Sequence, residues 1–191
     1  MTGGIALDIG TGDGSYAYKA ARENTDKFYI GLDSNAENMQ GFAQKAAKSA
    51  KKGGASNLLY AVANAEALPE ELNGLISEVT IFFPWNSLLK AVATGDENFL
   101  LGLKRMLAQN ASIKIVFSLD DTVEKKVLES LGVSSLNQPV LDKLEATYAR
   151  AGFSTKWRMM SQDELKQFPT TWAKRLAYGR PRPCVEMTGR I

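Results

Sequence analysis

The sequence predicts an α/β fold: a single domain over residues 1–191, built on a seven-stranded, mostly parallel sheet with helices on both faces. Three observations carry this. Short apolar runs alternate with runs of helical spacing along the whole chain. The first apolar run ends in a glycine-rich turn that opens directly into a helix, LDIGTGDGSYAYKAA over 7–21. No linker, internal repeat or low-complexity tract divides the chain, and 191 residues suit one α/β domain with a substantial core.

The elements follow in order. Residues 5–8 form a first apolar strand, and a helix runs from about Gly14 to Glu23. FYIGL (28–32) is a second strand ending at Asp33. Residues 35–50 carry helical spacing at Met39, Phe42, Ala43 and Ala46, and fray into Lys51-Lys52-Gly53-Gly54. Residues 58–63 are a third strand, 79–83 a fourth and 113–117 a fifth, with a helix over 97–107 between the last two. Residues 122–131 and 140–152 read as helices, and 153–159 and Cys184–Arg190 as two closing strands.

Composition narrows the chemistry. There is no histidine, which removes the commonest general base and most zinc sites; no metal centre is expected. The single cysteine, Cys184, excludes an internal disulfide framework. No apolar run reaches the roughly 18 residues of a membrane span and no signal-peptide pattern opens the chain, so a cytoplasmic protein without a membrane partner is expected. Residues 151–191 carry eight basic and three acidic side chains, a charge of +5, against −3 for residues 1–150. Such a basic segment suits contact with a polyanion, or is simply a solvated face.

The opening turn, Gly10-Thr11-Gly12-Asp13-Gly14, is G-x-G-x-G and not the G-x-G-x-x-G of dinucleotide enzymes. Asp8 precedes it, Asp13 lies within it, and Asp33 ends the next strand. A carboxylate at Asp8 repels a pyrophosphate but attracts an ammonium, and an acid at the end of the second strand suits both hydroxyls of a ribose. The set fits a nucleoside that carries an amino acid and no phosphate, namely S-adenosylmethionine. The competing readings are a dinucleotide site or a purely structural turn. After the third strand, Asn64-Ala65-Glu66-Ala67-Leu68-Pro69 either supplies backbone groups at Asn64 and Ala65 and walls at Glu66 and Leu68 to an adenine, or is a plain loop entering a short helix.

The fourth strand ends in FFPWNSLL (82–89). Methyltransferases acting on amino nitrogens carry an Asn or Asp before the proline at this place, to grip the amine. Phe82-Phe83-Pro84-Trp85 keeps the proline and the aromatic but lacks the acceptor, which suits a ring nitrogen whose lone pair attacks directly. Trp85 then offers a stacking face, the alternative being a core position. Trp172 lies on a short helix in PTTWAKRLAYGRPRP (169–183), among Lys174, Arg175, Arg180 and Arg182; cations for phosphates and a ring for an unpaired base are what an RNA contact requires. Trp85 and Trp172 are expected to sandwich one flipped base, whereas Trp157, inside a closing strand, is expected in the core.

On these motifs the chain resembles the aminoglycoside-resistance 16S rRNA (adenine(1408)-N1)-methyltransferases of the kanamycin–apramycin type. DIGTGDG, FYIGLD, AEALP, FFPWNSLL and TTWAKRLAYGRPR look like that family's successive motifs. The resemblance implies a class I S-adenosylmethionine-dependent methyltransferase fold, Rossmann-like in its sheet. It implies cofactor contacts from Asp8, Asp33 and the glycine turn, with Glu66, Phe83 and Pro84 at the cofactor and methyl-transfer site. It implies a flipped adenine held by Trp85 and Trp172 with Thr171 beside them, and rRNA contacts from Lys51, Lys52, Lys174, Arg175, Arg180 and Arg182. The partner is then 16S rRNA in the assembled 30S subunit, approached by a monomer. Members of the family usually carry an extension ahead of the first strand, where Met1–Gly4 stand here, so either a shortened relative or a truncated form of a longer chain is expected. Two other functions fit parts of the sequence: a tRNA guanine-N7 methyltransferase, whose strand-four motif carries an acid absent here, and a non-catalytic protein that binds RNA or S-adenosylmethionine.

Overall fold

The computed structural model describes residues 2–120, 122–180 and 182–191. Its strands are β1 (Ile5–Ile9), β2 (Phe28–Asp33), β3 (Leu58–Val62), β4 (Ile76–Phe82), β5 (Leu107–Ser118), β6 (Ser154–Met159) and β7 (Cys184–Arg190). They form one sheet in the order β3-β2-β1-β4-β5-β7-β6. β1 through β5 pair in parallel, and β7 runs antiparallel to both of its neighbours. Inserting β7 between β5 and β6 needs only the chain reversal after β6, whereas every parallel step needs a helical crossover. β1 sits between β2 and β4, so the chain changes direction across the sheet there and a crevice opens beyond the carboxyl ends of those strands.

The helices are α1 (Ser15–Glu23), α2 (Ala36–Ala46), α3 (Asn86–Thr94), α4 (Glu97–Met106), α5 (Lys125–Leu131), α6 (Gln138–Arg150), α7 (Gln162–Gln167) and α8 (Thr171–Tyr178). Alternate strand residues face opposite layers. Leu7, Ile9, Val79, Ile81, Ile113, Ile115 and Phe117 share one core with Leu88, Val92, Leu103, Leu141 and Tyr148 of α3, α4 and α6. On the other face, Ala6 and Tyr29 pack with Tyr18, Ala21 and Ala46 of α1 and α2. Farther along that face, Val116 and Cys184 pack with Leu165, Phe168, Ala173 and Leu176, around α7 and α8. Trp157 is buried between Phe117 and Tyr148, and its Nε1 donates to Thr155 at 3.0 Å, as its strand position predicted.

Several boundaries differ from the sequence expectation, each for a local reason. α2 ends at Ala46, and Lys51 and Lys52 stand exposed on a short 3₁₀ turn, Ala50–Lys52. α5 begins at Lys125 and not at Thr122, because Asp120 captures the N–H groups of Thr122 and Val123 in a turn of its own. β5 begins at Leu107, not at Ile113: its register against β4 jumps from Leu107 to Ser112, and Asn110 takes a left-handed φ of 62° within that bulge. The helices α3 and α7 were not expected.

A chain of ion pairs ties α7 to the sheet. Glu186 on β7 is largely buried and pairs with Lys114 at 2.7 Å and with Arg158, which in turn reaches Glu164 of α7 at 2.7 Å. Burial opposes the charge on Glu186, but hydrogen bonds and attraction from Lys114 and Arg158 outweigh it and hold the carboxyl below its ordinary range. Glu164 also completes a capping box with Ser161. The link leads straight into Phe168 and α8.

Candidate active site

The crevice is a cleft of about 750 Å³ lined by the turn after β1, the ends of β2, β3 and β4, the start of α3 and the start of α8. Fifteen of the expected positions line it: Asp8, Gly10, Thr11, Gly12, Asp13, Asp33, Asn64, Ala65, Leu68, Phe83, Pro84 and Trp85, together with Thr171, Trp172 and Arg175 from α8.

Asp8 is 5% exposed and accepts from the Thr11 hydroxyl at 2.6 Å and from the Thr80 hydroxyl at 2.7 Å. Thr80 stands directly across from it on β4. Burial pushes the Asp8 carboxyl up to about 6; the two hydroxyls oppose that rise, and the charges of Asp33 and Asp13 add to it. Asp33 is held from both sides: the Gly12 N–H donates to its Oδ2 at 2.9 Å and the Asn35 N–H to its Oδ1 at 2.9 Å. The carboxylate is thereby fixed at the mouth of the turn with lone pairs to spare, as a ribose acceptor requires.

The turn itself needs glycine for two separate reasons. Gly14 has φ 78° and a Cβ there would lie 2.5 Å from the Tyr60 ring, whose hydroxyl donates to the Gly14 carbonyl at 2.6 Å. Gly12 has φ 59° but nothing within 4 Å, so its missing side chain opens the turn to the cleft. Gly14→Ala is expected to lower the denaturant midpoint, since a left-handed alanine costs about 1–2 kcal/mol before the clash is counted. Gly12→Ala is expected to cost less stability but more cofactor affinity. Equal unfolding midpoints for the two variants would contradict this assignment.

β4 ends in a strained turn. Phe83 takes φ 51° and Asn86 φ 50°, on either side of Pro84-Trp85. Such conformations cost on the order of 1–3 kcal/mol each and persist where the surroundings fix them. Here the Phe83 N–H donates to the Val116 carbonyl at 2.6 Å and its ring meets Phe168 edge-on at 5.7 Å. Phe168 also meets Phe82 at 4.9 Å, so one residue between α7 and α8 fastens the α8 segment to the end of β4. The result is that Trp85, 51% exposed, and Trp172 meet edge-on with centroids 4.8 Å apart. The alternative of Trp85 as a core residue fails on that exposure. Arg175 lies 5.7 Å over the Trp172 ring.

Other expected positions fall elsewhere. Gly14 sits behind the cleft wall under Tyr60. Glu66 is exposed and outside the wall, because Asn64 Oδ1 accepts its N–H at 3.1 Å and folds the loop into a local turn. Lys174 and Arg180 are exposed and outside the cleft wall, but Arg182 is drawn in to Asp120, 3.7 Å away. Hydrogen bonds from Thr122, with help from the Val123 N–H and Arg182, hold the Asp120 carboxyl down at about 2. Sequence reading missed Thr80, Tyr16, Ser34, Asn35, Asn38 and Asn86 among the groups in or beneath the cleft. A lone hydroxyl in the apolar run VTIF was the available signal for Thr80. Tyr178, 78% exposed beside the basic cluster, was missed as well.

A buried acid beneath a glycine turn, a second acid closing β2 and a cleft at the switch in strand order fit one cofactor chemistry, and they define a class I S-adenosylmethionine-dependent methyltransferase. Residues 2–191 match a family model, NpmA, described as 16S rRNA (adenine(1408)-N(1))-methyltransferase, and the chain belongs to that family. An Escherichia coli relative of that name is 32% identical over 98% of this chain and 87% of its own length. One from Streptoalloteichus hindustanus is 33% identical over the same shares. Among solved structures, the 16S rRNA methyltransferase KamB superposes with a TM-score of 0.86 at 33% identity, covering 98% of this chain and 87% of that one. A tryptophan-to-alanine variant of the enzyme from Catenulisporales acidiphilia, solved with its cosubstrate S-adenosylmethionine, gives a TM-score of 0.84 at 25% identity, over 99% of this chain and 86% of that one.

Proposed function

We propose that this chain methylates N1 of an adenine in the decoding site of 16S rRNA, within the assembled 30S subunit, and so confers aminoglycoside resistance. The observation that carries the reading is the tryptophan pair at the end of β4, set over a cleft whose acids suit S-adenosylmethionine and whose Phe82-Phe83-Pro84 run offers no side-chain acceptor before the proline. S-adenosylmethionine supplies an electrophilic methyl group on a sulfonium. Asp33 holds the ribose hydroxyls, Asp8 faces the ammonium, and Asn64 and Ala65 border the adenine of the cofactor.

The target adenine is extruded and enters between Trp85 and Trp172. Stacking on both faces needs the rings about 7 Å apart, two contact distances of roughly 3.5 Å, so the present edge-on pair has to part and turn face to face. Adenine N1 then attacks the methyl carbon in line, the carbon–sulfur bond breaks, and its electron pair stays on sulfur. The positive charge moves from sulfur to the base. Indole faces attract that cation, so the pair holds the transition state more tightly than the neutral base. No general base is required, since N1 carries a lone pair and no proton. Every one of these groups comes from one chain, which supports action as a monomer. No described helix is long and apolar enough to cross a membrane, consistent with work on cytoplasmic ribosomes.

The basic cluster positions the rRNA. Because Arg182 is committed to Asp120, its reversal would place two carboxylates together and disturb the fold. Lys174→Glu leaves that pair intact and is the cleaner test. Affinity for 30S subunits is expected to fall at low salt with cofactor affinity unchanged, and the slope of log K against log salt is expected to flatten by about 1. Equal 30S affinity for variant and parent in low-salt sedimentation would remove this face from the interface.

The function itself is tested by methyl transfer from labelled S-adenosylmethionine to purified 30S subunits, naked 16S rRNA and tRNA. Label on 30S subunits is the expected result. Label on tRNA favours the guanine-N7 reading, and cofactor binding without transfer to any RNA favours a non-catalytic protein.

A further inference from the structure

We propose that Asn86 reads the edge of the target adenine, its Oδ1 accepting from N6–H and its Nδ2 donating to N7. This rests on the reading that an adenine enters between Trp85 and Trp172.

Four observations lead to it. Asn86 follows Trp85 directly and lines the same cleft. Its φ of 50° is a conformation glycine adopts freely and other residues adopt at a cost, and asparagine is among the few side chains that tolerate it. The side chain is exposed, and no hydrogen-bond partner satisfies it among the described residues. The other asparagines of the cleft are differently placed: Asn35 Oδ1 accepts the Glu37 N–H at 2.9 Å, Asn64 Oδ1 accepts the Glu66 N–H, and Asn38 stands on α2 beyond Asp33. Asn86 is therefore the cleft amide with both its donor and acceptor available beside the stacking ring.

A base stacked on Trp85 presents its edges in the plane of the stack. The Watson–Crick edge faces the cofactor, since N1 is the nucleophile. The remaining polar edge of adenine offers an N7 acceptor and an N6–H donor, and a carboxamide matches the two together. Guanine offers two acceptors there, so the Asn86 carbonyl would meet O6, and pyrimidines lack the pair. The contact also suits the chemistry. N6–H donating away from N1 pushes electron density through the amidine toward N1 and leaves N1 free, whereas an acceptor placed before Pro84 would draw N6 itself toward the methyl group.

The test is a cycle between Asn86→Gly and a base analogue. Glycine fits φ 50°, so the variant is expected to fold and to bind S-adenosylmethionine and 30S subunits like the parent. Its methyl transfer is expected to fall by about 5- to 150-fold, the range of a bidentate base contact. Reconstituted 30S subunits carrying 7-deazaadenine at the target lack N7. The parent is expected to lose activity on them by a similar factor, and the Asn86→Gly protein to be indifferent to the change. If Asn86→Gly works at the parent rate on ordinary subunits, or if both proteins lose equally on the analogue, Asn86 is only a residue tolerant of the turn and the assignment is overturned. A parent inactive on ordinary subunits would instead sink the adenine reading beneath it.

Discussion

The Asp8→Asn protein is expected to melt higher than the parent and to have lost most of its affinity for S-adenosylmethionine. Asp8 is buried, and its partners are the neutral hydroxyls of Thr11 and Thr80. Its carboxyl is pushed up from 3.8 to about 6, chiefly by burial. A carboxyl raised in the folded state favours folding only while protonated: the benefit is complete below about pH 4 and is lost as pH rises through about 6. At neutral pH the ionised group therefore costs the fold about 3 kcal/mol. An amide keeps both hydroxyl contacts and removes the charge, which for a chain of this size corresponds to roughly 6–12 °C in Tm. The same charge is what the cofactor ammonium requires. Parent affinity is expected to weaken below pH 6, about tenfold per pH unit, while the weak residual affinity of the Asn variant stays flat. Differential scanning calorimetry and titration calorimetry across pH 5–8 check both halves. An Asp8→Asn protein that melts lower, or that binds the cofactor as the parent does, removes Asp8 from the role given to it.

Trp85→Ala and Trp172→Ala are each expected to lose about 5- to 150-fold in methyl transfer from the lost stacking face alone, and more where the base loses its alignment. Cofactor binding is expected to survive in both. Trp→Phe is expected to retain part of the activity. The two positions are expected to couple in a double-mutant cycle, because one remaining face does not hold the base. Stability separates this from a packing role: a core Trp→Ala costs about 3–5 kcal/mol, whereas Trp85 is half exposed and leaves little cavity. Thermal melts and single-turnover transfer to 30S subunits decide. A Trp85→Ala protein that stays folded and transfers at the parent rate would contradict the sandwich.

The parallel part of the fold was legible because its strands are short apolar runs bounded by glycine, proline and acids, and because Asp8, the glycine turn and Asp33 keep fixed spacing. Less legible were the elements whose signals are not apolar. α7 announces itself only through the Ser161–Glu164 capping box, a polar signature that carries no periodicity over six residues. α3 is hard to see although Leu88, Leu89 and Val92 have helical spacing, because it is short and follows Pro84-Trp85 directly at the end of a strand. The start of β5 hides behind exposed Gln109 and Asn110, which look like a loop and form a bulge. In the site, what the sequence does not encode locally is partnership across elements. Arg182 reads as one more phosphate contact until Asp120 is found beside it, and Glu66 reads as a wall until Asn64 folds it out. The left-handed φ at Asn86 is likewise a property of the folded turn at the end of β4, invisible in the residue order alone.

The central claim is that the end of β4 presents a ring nitrogen of adenine, and not its amine, to the methyl group. It is tested most directly by digesting 16S rRNA from methylated 30S subunits to nucleosides and identifying the product by mass spectrometry against standards. The account predicts 1-methyladenosine, from one decoding-site nucleotide, and its loss in the Trp85→Ala and Trp172→Ala reactions. N6-methyladenosine, or a methylated guanosine, would contradict it.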